Sequence, residues 1–181
     1  MASYSFSQDW FTPRVPQFKK HLAHLSGAPC RLLEIGTFEG LSTTWLLSNI
    51  ATHPQAKIDT IDIIEQDVLR SNLDLSGAPG KVSVHIGKSF DILRALPQQS
   101  YDFAYIDGSH STVQVLEDAV LCFRLVKKGG IIAFDDYLWS NPKFSEGGTP
   151  KPAIDAFLDI YGKRTAILHK EWQVWVQKTS D

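Results

Sequence analysis

Leu32-Leu33-Glu34-Ile35-Gly36-Thr37-Phe38-Glu39-Gly40-Leu41-Ser42 is an apolar run closed by an acid and two glycines, with an amphipathic stretch beyond it. That order predicts a buried strand, a tight turn and the start of a helix. Gly36 and Gly40 carry no side chain, so a ligand can lie close to the backbone there. The helix start offers unpaired N–H groups to an anionic part of that ligand. Glu34, at the strand end, suits something cationic. A ligand with both an ammonium and a carboxylate therefore matches the turn. The spacing is G-x-x-x-G, whereas the dinucleotide fingerprint needs G-x-G-x-x-G, its middle glycine against the pyrophosphate. Thr37 and Phe38 stand where that glycine is required, which puts a nicotinamide cofactor last in the order of readings.

Towards the N-terminus, Trp10 and Phe11 sit in an otherwise polar segment. They either cap a pocket or staple the first helix to the body. Pro13 and Pro16 open that helix, which runs to about Leu25, and Ser26-Gly27-Ala28-Pro29 ends it. Cys30 to Gly36 is the first strand, and Leu41 to about Ala51 the next helix. Lys57 to Ile64 is the second strand. Its last acid, Asp62, comes about twenty residues after the glycine turn, where doubly wound folds place an acceptor for ribose hydroxyls. Gln66 to Leu75 is a weak helix. Lys81 to Ile86 alternates as a third strand, with His85 structural inside it, and Gly87-Lys88-Ser89 turns into a helix over Phe90–Leu96. Tyr101 to Ile106 is the fourth strand, closing at Asp107-Gly108-Ser109-His110. Ser111 and Gln114 form a capping-box pattern for a helix that ends at Lys127-Lys128-Gly129-Gly130. Ile131 to Phe134 is the fifth strand, closing at Asp135-Asp136. Residues 137–149 form the longest loop, and Pro150 to Tyr161 a helix. Thr165 to His169 and Trp172 to Val176 are two last strands, antiparallel because so little chain joins them.

The 181 residues suit one domain, with 43% hydrophobic and 21% charged residues, enough to bury roughly 70% of the unfolded surface. Net charge is −2 and no lysine or arginine cluster exceeds a short pair, which argues against a nucleic-acid partner. Cys30 and Cys122 lie in apolar runs and read as buried thiols rather than a disulfide framework or metal pair. No signal peptide, membrane span or lipidation motif is read, so a cytoplasmic protein without a membrane partner is expected.

Alternating strands and helices imply an open, mainly parallel sheet covered on both faces. Ligands in such sheets bind beyond the carboxyl ends of the strands. Glu34, Asp62, Ser89, Asp107, Asp135 and Asp136 all fall at those ends. Asp107 and the pair Asp135-Asp136 close neighbouring strands and would repel one another unless a cation sits among them. A hard divalent ion with some retained water fits, magnesium first, with calcium and manganese as alternatives. The other reading is of separately hydrogen-bonded strand-end acids. His110 lies near Asp107 at the same edge, and a free imidazole, titrating near about 6.5, suits a general base.

Taken together these stretches resemble the class I S-adenosylmethionine-dependent methyltransferases over nearly the whole chain; the methionine moiety of that cofactor carries both an ammonium and a carboxylate. Within the class the chain is most similar to the metal-dependent O-methyltransferases typified by catechol O-methyltransferase, and to small bacterial methyltransferase domains that share Asp107-Gly108-Ser109-His110 and Phe134-Asp135-Asp136-Tyr137. The resemblance implies a Rossmann-like, doubly wound α/β fold: seven strands in the order 3-2-1-4-5-7-6, mainly parallel with the last antiparallel. It implies a single methyltransferase domain over 1–181, with 1–28 as cap segment and helix and 29–181 as catalytic core. Gly36, Phe38 and Ser42 would line the methionine end with Glu34 nearby, Thr37 and Gly40 completing the motif. Asp62 would take the ribose, and Ser89 and Phe90 the adenine. Asp107 would be a metal ligand that also approaches the methionine amine, and Asp135 and Asp136 the other two protein ligands, the second commonly asparagine in the family. His110 stands where catechol O-methyltransferase has its catalytic lysine, and Asp107 joins it in the reacting centre. Ser109 replaces an aromatic that packs on the substrate, so Trp10, Phe11, Tyr137 and Trp139 are the candidates to rebuild an apolar wall.

The expected activity is divalent-metal-assisted O-methylation of a small hydroxylated molecule, with magnesium as the metal that the resemblance implies. The alternatives are a metal-independent methyltransferase acting on a sugar or amine, and a non-catalytic S-adenosylmethionine-binding protein. Oligomeric state is open, a homodimer being one arrangement.

Overall fold

The computed structural model describes residues 3–141 and 148–181. Seven strands form one sheet: β1 (Arg31–Ile35), β2 (Lys57–Asp62), β3 (Val82–Ile86), β4 (Tyr101–Ile106), β5 (Val126–Phe134), β6 (Thr165–Lys170) and β7 (Val174–Lys178). Their order is β3-β2-β1-β4-β5-β7-β6. The first five in that order run parallel, and β7 is antiparallel to both β5 and β6. The helices are α1 (Val15–Leu22), α2 (Leu41–Asn49), α3 (Leu69–Leu75), α4 (Ser89–Ala95), α5 (Thr112–Leu125) and α6 (Pro150–Tyr161). This is the doubly wound architecture that the strand–helix alternation predicts. No helix among the described residues is long and apolar enough to cross a membrane.

Period-two alternation along the strands divides the core. Leu33, Ile35, Ala104, Ile106, Ile132 and Phe134 pack with Val115, Ala119, Cys122 and Phe123 of α5 and Ile154 and Phe157 of α6. Leu32, Ile58, Phe103, Tyr105, Ala133 and Trp175 face the other way, onto Phe18 and Leu22 of α1 and Leu46 and Leu47 of α2. The α5 contacts at positions 115, 119, 122 and 123 form the single stripe expected of a helix against a sheet. Both cysteines are buried free thiols. His85 is structural: its Nε2 lies 2.9 Å from Asp59 Oδ1, and Asp59 also accepts from Arg31 and Tyr101.

Three local expectations are corrected. Strand β5 begins at Val126, not Ile131. Lys127-Lys128-Gly129-Gly130 is therefore strand rather than helix end, with the register slipping between Tyr101 and Phe103 opposite it. Lys127 pairs with Asp102 at 2.8 Å, and Gly129, at φ +87°, supplies the bend that an L-residue resists. The capping box at Ser111 does not form. Gln114 instead accepts from the Ser109 hydroxyl, and Ser109 Oγ accepts from Ser111 N–H. Finally, the last strand begins at Val174, because residues 171–173 turn the chain.

One buried charge has a measurable consequence. Asp118 of α5 is 1% exposed, and its Oδ1 has no hydrogen-bond partner among the described residues. Burial pushes its carboxyl up to about 6, against a hydrogen bond from Ser89 that lowers it. Because the folded pKa is raised, the folded state loses stability as pH rises from about 4 to about 6, and the loss is then constant. Two units correspond to about 3 kcal/mol. Asp118→Asn is expected to raise the unfolding free energy at pH 7.5 by up to about that amount and to do little at pH 4. Chemical denaturation at the two pH values checks this; an equal effect at both would refute it.

Candidate active site

The turn after β1 is built by glycine. Gly36 has φ +97° and Gly40 φ +84°. An ideal Cβ on Gly36 would stand 2.1 Å from the Asp107 carbonyl oxygen. The turn and the Asp107 loop are thus in contact through backbone, held by Asp107 N–H to Ile35 O at 2.8 Å, while Gly36 N–H to Ile61 O, also 2.8 Å, ties the turn to β2. Phe38 also has positive φ, +47°. Its N–H donates to Asp62 Oδ2 at 2.7 Å, so the acid ending β2 fixes the turn. Asp62 Oδ1 accepts from the amide of Ile63.

Glu34 requires a correction. It is fully buried and does not open towards a ligand. Its carboxylate accepts from the hydroxyls of Ser42 (2.5 Å), Thr43 and Thr60 (2.8 Å). Burial raises its pKa and the three hydroxyls counter that. Glu34 therefore ties β1 to the first turn of α2 from beneath. Thr37, 2% exposed, joins the same network through Thr60. Sequence reading placed Glu34 at the strand end and Thr37 in the turn but could not tell which way they point.

On the β2–β3 side, Ile63, Ile64 and Phe90 are 64%, 61% and 39% exposed. Large apolar side chains open to water at adjacent strand ends suit the face of a flat heterocycle. Ser89 begins α4 beside them. The Cβ positions of Gly36 and Gly40 are taken up by protein, Asp107 backbone and Leu69 respectively, so the two glycines serve the close approach of neighbouring elements rather than leaving open space. Asp62, Ser89 and Phe90, an acid and an apolar platform beside that turn, fit the ribose and adenine of S-adenosylmethionine. No neighbouring position supplies the middle glycine that a pyrophosphate requires.

On the β4–β5 side lie the acids. His110 Nε2 is 2.7 Å from Asp136 Oδ2, and the His110 ring stacks on Trp139 with centroids 4.2 Å apart. Asp136 has φ +56°, a strained conformation of the kind that gathers at functional positions. Asp107 is open to solvent at the cleft. Surrounding protein and then the charges of Asp135 and Asp136 raise its carboxyl well above the usual range. Burial raises the Asp135 carboxyl, and Asp136 adds to this, while Tyr105 and Arg14 oppose it.

The expected metal triad is not assembled as a ligand set. Among the described residues no group of three or more His, Cys, Asp or Glu could hold a metal ion. Asp135 is 7% exposed and its oxygens are committed to protein donors. Tyr105 O–H (2.5 Å) and Gln173 Nε2 (2.8 Å) reach Oδ2, and Asp136 N–H (2.7 Å) reaches Oδ1. Arg14 Nε stands 3.3 Å from Oδ1. Sequence reading missed Arg14, Tyr105 and Gln173. Only the Pro13 turn hinted that residue 14 would be fixed.

The four aromatic candidates divide. Trp10 is 65% exposed and packs on Phe38 with centroids 5.4 Å apart, and Trp139 covers His110. Phe11, in contrast, is in the core against Phe18 and Trp45: it staples α1 rather than walling a pocket. Tyr137 is also in the core, its O–H donating to Asp155 Oδ1 at 2.8 Å. Burying a ring in the core outweighs exposing it at a pocket rim. In the segment 1–12, Asn72 anchors Ser5 through two hydrogen bonds of 2.9 Å, and Ser7 N–H reaches Glu39. Residues 5–11 thus run along the glycine turn. Within the 137–149 loop, residues 142–147 lie outside the described residues.

Comparison with known proteins follows the same lines. A catechol O-methyltransferase of Mycobacterium tuberculosis (strain ATCC 25618 / H37Rv) is 32% identical over 124 residues, 66% of this chain and 54% of that protein. The chain spans about half the length of the named relatives it matches. Among solved structures, the O-methyltransferase TomG of Streptomyces achromogenes, in complex with SAM, superposes with a TM-score of 0.71 at 22% identity, covering 91% of this chain and 80% of that one. An O-methyltransferase of Bacillus cereus in complex with SAH gives 0.70 at 22% identity, covering 98% and 84%. At those identities the structures speak for the fold. The family described as methyltransferase domain matches residues 33–137, from the middle of β1 to the end of the Asp135-Asp136-Tyr137 run. That span is more than half of the chain and holds the glycine turn, Asp62, Asp107 and His110; the chain belongs to this family, the class I S-adenosylmethionine-dependent methyltransferases.

Proposed function

We propose that this chain transfers a methyl group from S-adenosylmethionine to a hydroxyl oxygen of a small molecule. The observation that carries the reading is contact: the loop bearing Asp107 and His110 abuts the glycine turn at Gly36. A proton acceptor and a cofactor cradle thus share one cleft. Bound there, S-adenosylmethionine would supply a methyl on a positively charged sulfur, which the acceptor oxygen would take as the carbon–sulfur bond's electron pair stayed on sulfur. His110 takes the hydroxyl proton. Its Nε2–H donates to Asp136, which leaves the Nδ1 lone pair to accept. Trp139 holds the ring plane and, with Trp10, which packs on Phe38 of the glycine turn, offers apolar surface to the acceptor. The remaining contribution of the protein is alignment of the reacting atoms.

Titration calorimetry with S-adenosylmethionine, followed by a mass-spectrometric product screen over hydroxylated aromatics and polyols, tests this. One binding event per chain and a product heavier by one methylene are expected. Binding without any product would leave the alternative of a non-catalytic cofactor-binding protein. Preference for a nicotinamide dinucleotide would end the proposal.

A further inference from the structure

Resting on that reading of the cleft, we propose that Arg14 is the resident cation of the acid cluster, standing in for a divalent metal, so that the acceptor is held without chelation. A carboxylate has about four lone-pair directions. In Asp135, three accept hydrogen bonds from Tyr105, Gln173 and the Asp136 amide, and the guanidinium of Arg14 lies against the same carboxylate. The Arg14 and Asp135 side chains are 22% and 5% exposed, so water screens the pair little.

The donors are locked in that sense. Gln173, 2% exposed, accepts from Trp175 Nε1 at 3.0 Å through its oxygen. That fixes its amide nitrogen, a donor, towards Asp135. Tyr105, fully buried, points its O–H at Asp135 Oδ2. A magnesium ion needs oxygen acceptors in near-octahedral array; here the carboxylate meets donors and a cation. Arg14 is held in turn. It closes the 3-10 turn Thr12–Arg14, anchored by Phe11 in the core, and its guanidinium lies 5.1 Å from the Trp172 ring centroid. Its buried Nε contacts Asp135 as an ion pair, without an aligned hydrogen bond. Asp136, the other acid beyond β5, is committed to His110.

Two consequences follow for the acceptor. It need present only one hydroxyl, since no ion demands a second oxygen beside it. Its hydroxyl is brought to His110 by the Trp139 and Trp10 surfaces rather than by a metal. The test is a manganese titration followed by electron paramagnetic resonance on the full chain saturated with SAH, in wild type and Asp135→Asn. The expected result is no Mn²⁺ bound at the acids: either none at stoichiometric levels, or binding that Asp135→Asn leaves intact because it lies elsewhere. One Mn²⁺ per chain, lost in Asp135→Asn, would overturn the proposal. On an acceptor from the product screen, turnover is expected to be unchanged by EDTA. It should fall in Arg14→Gln, recover in part in Arg14→Lys and not recover with added Mg²⁺. Loss of turnover in EDTA with recovery in Mg²⁺ is the opposite result. Calorimetry on the same samples separates the two ideas, because failure to bind SAH sinks the methyltransferase reading and leaves the manganese result standing on its own.

Discussion

Gly36→Ala is expected to abolish S-adenosylmethionine binding and to destabilise the fold by about 3 kcal/mol or more, the sum of an overpacking cost and a backbone cost. Positive φ alone costs an L-residue about 1–2 kcal/mol, and Gly36 sits at +97°. The larger cost is spatial. A Cβ there would lie 2.1 Å from Asp107 O, 2.6 Å from its carbonyl carbon and 3.0 Å from Gly108 Cα. All three are backbone atoms, so no side-chain rotation relieves the clash. The ends of β1 and β4 would have to part, against the hydrogen bond from Asp107 N–H to Ile35 O. That movement would also separate the cofactor cradle from the His110 loop. Gly77 is the control: its φ is +74° but nothing lies within 4 Å of its Cβ position, so Gly77→Ala carries only the backbone cost, about 1–2 kcal/mol. Denaturant midpoints and calorimetry compare the two variants. Equal losses would show that the close approach of β1 and β4 is not what the glycine serves.

The second large effect concerns His110. His110→Ala is expected to lower turnover by about 10²–10⁴-fold, the usual range for a lost general base. S-adenosylmethionine affinity should be unchanged, because His110 bonds Asp136 and stacks on Trp139 rather than bracing the glycine turn. Asp136→Asn keeps the shape but can present an amide N–H to Nε2, reversing the tautomer and blocking Nδ1. It should lower turnover with little change in KM. A merely structural His110 would instead show itself in the melting temperature, with near-normal turnover at every pH. That outcome would assign proton removal to another group or to water.

Much of this site was legible without coordinates. The alternation of apolar runs and amphipathic stretches is a local signal. Turn chemistry at Gly36 and Gly40 is local too, and acids that end strands share one sheet edge as soon as the sheet is parallel. Hence Gly36, Asp62, Asp107, His110 and Asp136 were identifiable as a set. The start of β5 was not, because Lys127-Lys128-Gly129-Gly130 has the composition of a helix end, and only pairing with β4 draws it into the sheet.

The sequence by itself determined the order of elements, the glycine turn and the sheet edge on which the chemistry gathers, since each depends on periodicity or on φ preferences within a few residues. Tertiary structure alone decided which side chains face that edge. It buried Glu34 beneath three hydroxyls, drew Phe11 and Tyr137 into the core, left Trp10 and Trp139 at the cleft, and set Arg14 and Gln173 against Asp135. These partners come from distant parts of the chain, and their pairing is set by packing density and by the need of every buried polar group for a partner. Neither condition can be read from neighbours in sequence.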